Sequence, residues 1–326
     1  MLSKYLFVLL AIVCLFAVSS TQAQNLSKEE VEQAINRISA LIKDNYVFEE
    51  KGKKIADHIV QEYKQGKLGM VKTWDDFASL STKILRDYSN DGHLYVRRDP
   101  YVVKELATSK NQVEKPESED PFHYSEIART NNFGFREVKV MPGNIGYIKL
   151  AEINISEKSL PTLFAAMQFV ANTRALIIDL RDNGGGGSNI GPVIESFFLP
   201  KETALLEFRN RSGQVRVERA VVWLTEKRYD KPLYIIVNRK TASAAEALAF
   251  ALQANKRAII VGQPSAGAAH MNSWFAVNDE VFVSVSTAAP TLPGTEQSWE
   301  GKGVQPDFVT TEGEEMKFIE EQIRQR

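Results

Sequence analysis

Residues 233–254 read LYIIVNRKTASAAEALAFALQA, and this stretch decides the fold. Its first segment, Leu233 to Val237, is apolar and rich in β-branched side chains, which is typical of a strand buried on both faces. A polar turn follows, and Ala244 to Ala254 then has the pattern of an amphipathic helix. A buried strand that leads through a short turn into a helix is typical of an α/β core with covered strands.

The same alternation of strand and helix continues on both sides of this stretch. Further short runs of Val, Ile and Leu predict strands at 145–150, 175–180 and 258–261. Helical patterns separate these runs, at about 161–171 and 190–198. Nearer the C-terminus, two apolar segments flank Asn278-Asp279 and predict an antiparallel hairpin across 273–286. Residues 143–326 are therefore predicted to form an α/β core.

Residues 24–98 have a different, helical pattern. Ser27 followed three residues later by Glu30 spells a capping box, the signature of a helix N-terminus. Apolar residues then recur at helical spacing as far as about Ser89, which predicts a small helical N-terminal domain. Residues 99–142, which follow it, are polar and irregular and are predicted to be a linker or excursion.

The first 23 residues are typical of a secretory signal peptide. A basic residue precedes the apolar segment 6–18, and the small side chains of Thr21 and Ala23 fit cleavage before Gln24. A retained anchor is the alternative, but the apolar segment is shorter than the ~20 residues that a membrane-spanning helix needs. We therefore expect an exported chain, periplasmic or extracellular, without an integral membrane segment after signal removal. The only cysteine, Cys14, lies within the signal, so the mature chain has no thiol or disulfide chemistry.

Composition and motifs exclude several classes of function. A total of 40 Lys and Arg against 41 Asp and Glu gives a formal net charge of −1 without a basic cluster, so nucleic acid is not an expected partner. The sequence has no H-E-x-x-H pattern and no clustered spacing of His and carboxylates, which argues against a metal site. Four glycines, Gly184 to Gly187, follow the strand at 175–180, but they match neither phosphate-binding pattern, so no nucleotide cofactor is expected.

Ser243 admits two interpretations. It stands at the N-terminus of the helix that begins at Ala244, where unpaired backbone N–H groups favour developing negative charge. That position suits a nucleophile in acyl transfer. Ser243 with Glu246 also spells a capping box, in which the serine is purely structural.

Two further segments carry residues suited to acid–base chemistry. His93 lies in the turn SNDGHLYV at 89–96, where the helical domain ends, and the turn could direct it toward another domain. Of the other histidines, His58 lies in a helical pattern, His123 in the polar segment 99–142 and His270 in a Gly/Ala loop. Near the C-terminus, Glu300 lies in the glycine-rich loop SWEGKGVQPD at 298–307. A solvated histidine and an exposed turn glutamate are the ordinary structural alternatives.

Together these segments resemble the tail-specific, or C-terminal-processing, family of serine peptidases. That family combines a strand ending in D-L-R-x-N-x-G-G, a T-A-S-A-[SA]-E nucleophile turn and a G-V-x-P-D loop, and the chain has all three in this order, at 179–186, 241–246 and 303–307. The helical part, which ends in D-G-H-L-x-V at 91–96, looks like the branch that contains repeats of interphotoreceptor retinoid-binding protein. The resemblance implies an α/β core of the spiral type shared with crotonase-like and Clp-protease subunits.

The chain departs from the processing proteases in ways that bear on mechanism. The lysine that activates the serine in those enzymes aligns here with Ala268, and neither Lys240 nor Lys256 takes its place in the sequence. A PDZ-like module is not evident. The remaining pattern resembles the tricorn core, in which a histidine from the preceding part is the base, although Gly92 stands where the tricorn type has a serine that links a glutamate into the network.

This resemblance implies a role for each residue that matches. Ser243 would be the nucleophile, His93 its base, and Glu300 would orient or polarise the network. The backbone N–H groups of Ala244 and Gly185 would form the oxyanion hole.

The implied function is a secreted serine peptidase that hydrolyses peptide bonds in peptide or protein substrates. It needs no metal or nucleotide, and the resemblance sets no oligomeric state. One alternative is a non-catalytic binding protein for apolar ligands, because the retinoid-binding relatives share the scaffold. Another is an esterase, which would use the same machinery, although the G-x-S-x-G elbow is absent.

Overall fold

The computed structural model describes residues 25–109 and 121–325. The predicted signal peptide at 1–23 lies outside the described residues. Helices in the first part are α1 (Lys28–Asn45), α2 (Glu49–Lys64), α3 (Trp74–Ser89), α4 (Pro100–Ser109), α5 (Pro121–Tyr124) and α6 (Glu126–Thr130), followed by a 3₁₀ turn at Asn132–Gly134. Those in the second part are α7 (Leu160–Val170), α8 (Val193–Ser196), α9 (Ala244–Ala254) and α10 (Glu315–Gln325). Among these helices, none is both long enough and apolar enough to cross a membrane.

The strands form two large sheets and one small sheet. They are β1 (Tyr95–Arg98), β2 (Phe135–Met141), β3 (Ile145–Leu150), β4 (Ile153–Ile155), β5 (Ala175–Asp179), β6 (Gly186–Ser188), β7 (Ala204–Asn210), β8 (Val215–Arg219), β9 (Leu233–Val237), β10 (Ile259–Gly262), β11 (Met271–Ala276), β12 (Val281–Thr291) and β13 (Phe308–Val309). The larger sheet has the order β13-β10-β9-β5-β3-β2 and is parallel except for β2. The second has the order β1-β12-β7-β8 with β11 paired to β12, and β4 pairs with β6 alone.

The central strands of the parallel sheet confirm the predicted α/β core. β5 and β9 are buried at every position, as expected of strands covered on both faces. Helix α9 spans the predicted residues 244–254, and the hairpin around Asn278-Asp279 joins β11 to β12. Because β9 and α9 are consecutive, the turn between them lies at the carboxyl edge of the parallel sheet. Ligand sites of open α/β sheets lie at this edge.

The N-terminal helices pack on the second sheet. The capping box of Ser27 and Glu30 begins α1 as predicted. Side chains of α1, α2 and α3 form one apolar cluster with Val281, Val283 and Val285 of β12, and β1 pairs with β12. The helical part is thereby tied to the core by shared apolar packing and by backbone hydrogen bonds.

Two expectations need correction, and two strands were not predicted. The segment 99–142, expected to be an irregular linker or excursion, contains α4, α5, α6 and the edge strand β2. Strands β7 and β8 were not predicted, and the helical pattern at 190–198 yields only the single turn of α8. Edge strands such as β2 and β8 expose most of their residues, so they lack the apolar runs that identify a buried strand.

Candidate active site

Ser243 lies between β9 and α9 in a strained backbone conformation. Its φ of 53° and ψ of −121° lie outside the regions that a serine ordinarily occupies. Such a conformation costs on the order of 1–3 kcal/mol and persists only where the surroundings impose it. In the capping box, the Ser243 N–H donates to Oε2 of Glu246 at 2.8 Å. Because this hydrogen bond uses the backbone, capping does not exclude a nucleophilic role for the side chain.

Glu246 is fully buried, and its carboxylate joins the serine turn to the loop at 265–268. Besides the Ser243 N–H, its Oε2 accepts the N–H of Ala268 at 2.9 Å. Its Oε1 accepts the hydroxyl of Ser265 at 2.5 Å and the N–H of Gly267 at 2.7 Å. One carboxylate thus accepts four hydrogen bonds and fixes two loops against each other.

The glycine run approaches the serine turn closely. A Cβ placed on Gly185 would lie 2.7 Å from Cβ of Ser243 and 3.0 Å from N of Ala244, and Gly185 has a φ of +102°. Only glycine fits this position without displacing the serine turn. The Asn183 carbonyl accepts the N–H of Ala242 at 2.9 Å, which holds the two segments together.

The two N–H groups predicted for the oxyanion hole differ in their hydrogen bonds. The Ala244 N–H has no acceptor within the described chain, as expected in the first turn of a helix. The Gly185 N–H donates to Oδ1 of Asn183 at 2.9 Å. Alternate amides of a parallel strand point to opposite sides, and Ile153 of β4 donates to the Gly185 carbonyl, so the N–H of Gly186 points away from β4.

A cavity of about 450 Å³ lies beside Ser243. Its polar wall includes Ser243, Gly186 and His270, and much of the remainder is apolar, including Leu248 and Trp299. The cavity is large enough for a substrate side chain next to the serine.

His93 is half-buried in the turn that follows α3, and it is not among the residues that line this cavity. Its N–H donates to Oδ1 of Asp91 at 2.9 Å, and its carbonyl accepts the hydroxyl of Ser284 at 2.6 Å. Its Nδ1 is buried without a hydrogen-bond partner in the described chain. Burial lowers the pKa of the His93 imidazole below its ordinary value of 6.5.

Contacts at Ala268 link the His93 turn to the serine turn. A Cβ placed on Gly92 would lie 3.4 Å from Cβ of Ala268, so the turn packs against the position that aligns with the lysine of the processing proteases. The Ala268 N–H shares Oε2 of Glu246 with the Ser243 N–H. Lys240 is 79% exposed and lies 3.4 Å from a carboxylate oxygen of Asp182, on the surface.

A second histidine, His270, forms a cluster with two carboxylates. Its Nδ1 lies 2.9 Å from Oδ2 of Asp91, and the two residues are only 4% and 1% exposed. Burial alone would raise the pKa of Asp91, but hydrogen bonds from His270 and Tyr46 outweigh it and hold the pKa well below the usual range.

Glu300 faces His270. Its Oε2 accepts the N–H groups of Ala269 and His270 at 2.7 and 3.1 Å, and its Oε1 lies 3.6 Å from Nδ1 of His270. Burial raises the pKa of the Glu300 carboxyl. The resemblance had implied that Glu300 forms a catalytic group with Ser243 and His93. In the structure, Glu300 contacts His270 and the loop that carries His270.

Sequence reasoning missed three residues of this site. Asp91 stands in the quoted D-G-H motif, Glu246 was considered only as a helix cap, and His270 was set aside as a loop residue. The position of His270 two residues after Ala268 was the available signal, because alternate residues of an extended segment point to the same side.

Two family models match this chain. The family model described as Peptidase family S41 matches residues 144–310, and the N-terminal domain of Peptidase_S41 in eukaryotic IRBP matches residues 19–131. The chain belongs to peptidase family S41. The resemblance noted from the sequence motifs is thereby confirmed.

Two curated relatives of this S41 chain are processing peptidases. Carboxyl-terminal-processing peptidase 2, chloroplastic, of Arabidopsis thaliana is 34% identical over 163 residues, which are 50% of this chain and 31% of that protein. The carboxyl-terminal-processing protease of Synechocystis sp. is 33% identical over 171 residues, which are 52% of this chain and 38% of that protein. The aligned half of the chain therefore corresponds to about a third of each relative.

Solved structures share the fold over most of this chain. A lipoprotein from Streptococcus agalactiae has a TM-score of 0.59 at 18% identity and covers 91% of this chain and 96% of its own. A structure titled as a putative peptidase from Parabacteroides merdae has a TM-score of 0.57 at 20% identity, with coverage of 92% and 97%. At these identities the likeness shows the fold alone, and it confirms an α/β core with an N-terminal helical region.

Proposed function

We propose that this chain is a serine peptidase that hydrolyses peptide bonds, with Ser243 as the nucleophile and a histidine as its base. The observation that carries the proposal is the turn at Ser243: a strained serine, an unoccupied N–H on Ala244 and the closely packed Gly185 meet beside one cavity. Backbone strain of this kind clusters at active sites. Membership of family S41 and relatives that are processing peptidases support the same reaction.

His93 is the base in this proposal. Burial lowers its pKa, so the imidazole is neutral at pH 7 and able to accept the Ser243 proton. A lysine cannot take this role at position 268, because the residue there is Ala268. Its small side chain leaves room for the His93 turn to pack against it. The hydrogen bond between a base and its nucleophile is often long in the free enzyme and shortens in the substrate complex. The His93 turn, which packs against Ala268, would bring His93 toward Ser243 in this way.

The N–H groups of Ala244 and Gly186 would stabilise the oxyanion that forms when Ser243 attacks a peptide carbonyl. One such donor typically contributes about 10²–10³ in rate. The apolar side of the cavity suits an apolar side chain of a peptide substrate.

Export is part of the proposal. A signal peptide removed before Gln24 would deliver the chain to the periplasm or the extracellular space, where it would act on peptide or protein substrates. N-terminal sequencing of the exported protein should start near Gln24. A chain that retains Met1 or carries a lipid on Cys14 would exclude this maturation.

Labelling with a fluorophosphonate tests the reaction directly, because the reagent modifies an activated serine. We expect one modified residue, Ser243, by mass spectrometry of the purified mature chain, and no labelling of Ser243→Ala. A wild-type chain that binds apolar ligands in the cavity but is neither labelled nor hydrolytic would favour the binding-protein alternative. Hydrolysis of esters without hydrolysis of any peptide would favour the esterase.

A further inference from the structure

The Asp91–His270 pair is an imidazole–carboxylate couple that the reaction of Ser243 with His93 leaves unused. The two residues are far apart in the sequence, yet Nδ1 of His270 lies 2.9 Å from Oδ2 of Asp91 in a nearly fully buried contact. The edges of the Tyr46 and Phe48 rings, with centroids at 6.4 and 5.8 Å, confine the imidazole. A carboxylate on Nδ1 fixes the tautomer, so Nδ1 carries a proton and Nε2 is the position that exchanges one.

His270 lines the same cavity as Ser243, and its Nε2 has no hydrogen-bond partner in the described chain. A proton taken up at Nε2 leaves an imidazolium whose Nδ1–H stays bound to the ionised Asp91. Glu300 is the second carboxylate that faces this edge of the ring, at 3.6 Å, and the neighbouring polar groups on Asp91 are the Tyr46 hydroxyl and the His93 N–H.

We propose that His270 is a catalytic residue that gives a proton to the leaving amine, and that Asp91 is its positioning residue. The inference rests on the proposed function, because it divides acid and base between two imidazoles. His93, whose Nδ1 has no carboxylate partner, remains the neutral base toward Ser243. His270 is the imidazole whose Nδ1 is held by a carboxylate, that of Asp91.

The proton transfers balance over one turnover. In acylation the Ser243 oxygen bonds to the peptide carbonyl carbon and its proton moves to His93. The C–N bond then breaks, and the departing nitrogen keeps the electron pair and takes the proton from Nε2 of His270. In deacylation a water oxygen bonds to the acyl carbon, its proton returns to His270, and the Ser243 oxygen leaves with the proton held by His93.

The test compares leaving groups on one acyl chain. A peptide amide needs a proton on its nitrogen, whereas a p-nitrophenyl ester with the same acyl group releases a stable phenolate without one. The second-order constant kcat/KM reports acylation for both substrates. His270→Asn keeps an N–H near the position of Nδ1, and thus the contact with Asp91, while it removes Nε2. We expect it to lower kcat/KM for the amide about 10²–10³-fold, the usual contribution of a general acid, and for the ester less than about 10-fold.

Matched variants separate this role from a structural one. Asp91→Asn should show the same selective loss for the amide, and His93→Ala should lose both activities. Fluorophosphonate inactivation of Ser243 in His270→Asn at near the wild-type rate shows that the site is folded, and His270→Gln provides a second variant.

The outcomes distinguish the two proposals. An equal loss for amide and ester in both His270 variants, or retention of amide hydrolysis, would overturn the acid role while Ser243 labelling of the wild type still supports the peptidase. A wild-type chain without labelling at Ser243 would overturn both.

Discussion

Replacing Glu246 by glutamine tests whether its carboxylate holds the site together. The carboxylate accepts four hydrogen bonds in a fully buried position. Glutamine keeps one accepting oxygen, which can serve Ser243 and Ala268, and its NH₂ can donate to the Ser265 hydroxyl. The N–H of Gly267 then loses its acceptor, which costs about 1–3 kcal/mol when the group is buried. The hydrogen bonds from the backbone N–H groups of Ser243 and Ala268 lose a charged acceptor, at a cost of ~1 kcal/mol each. The total loss in the free energy of unfolding is therefore about 3–5 kcal/mol.

Urea unfolding followed by circular dichroism measures this loss. A domain of ordinary stability, about 5–15 kcal/mol, should survive it and remain folded in water. The fluorophosphonate reaction of Ser243 should slow as well, because the serine turn loses its link to the loop at 265–268. The control is Glu50→Gln on the exposed surface of α2, expected within about 0.5 kcal/mol of the wild type. A loss below about 1 kcal/mol in Glu246→Gln with an unchanged labelling rate would refute the reasoning.

Three further predictions concern the proposed mechanism. Ser243→Ala should abolish peptide hydrolysis without unfolding the chain, since even the loss of a cap would cost only ~1 kcal/mol. Lys256→Ala, at an exposed position just beyond the end of α9, should keep full activity in the same fluorogenic assay. Gly185→Ala should abolish Ser243 labelling, because the added Cβ would lie 2.7 Å from Cβ of Ser243. A Cβ on Gly184 would have no neighbouring atom within 4 Å, so Gly184→Ala should be labelled normally. Equal labelling of the two variants would contradict the close approach of Gly185 to the serine turn. In a pH profile of kcat/KM, activity should fall as pH drops through the pKa of His93, and the fall should lie below pH 6.5 because burial lowers that pKa; a midpoint above 6.5 would remove His93 as the buried base.

The predicted core rests on signals that are local in the sequence. The apolar run at 233–237 and the alanine-rich helix after Ser243 are in place with their predicted bounds, because burial on both faces and helical spacing leave direct traces in composition. The capping box at Ser27 is a contact across three residues and is equally legible. The edge strand β2 left no such trace, since its partly exposed surface carries charged residues.

The site itself was only partly predictable. The serine turn and the glycine run follow strands of one parallel sheet, so their proximity follows from topology. The only local signal for His270 was its position two residues after Ala268, because its contact partner Asp91 lies 179 positions earlier. Most of the hydrogen bonds that Glu246 accepts were hidden for the same reason, since three of the four donors lie about 20 positions beyond it in the chain, at Ser265, Gly267 and Ala268.

The N-terminal helices and β1 pack on β12, which lies far along the chain, and this bears on when the proposed site can form during synthesis. Asp91 and His93 come from the first third of the sequence, while Glu300 and the loop that it holds are among the last parts to leave the ribosome. Contacts of such long sequence separation form late, since the loop-closure entropy of the intervening chain opposes them. In a growing polypeptide the proposed site therefore cannot form until nearly the whole of residues 91–300 has been synthesised.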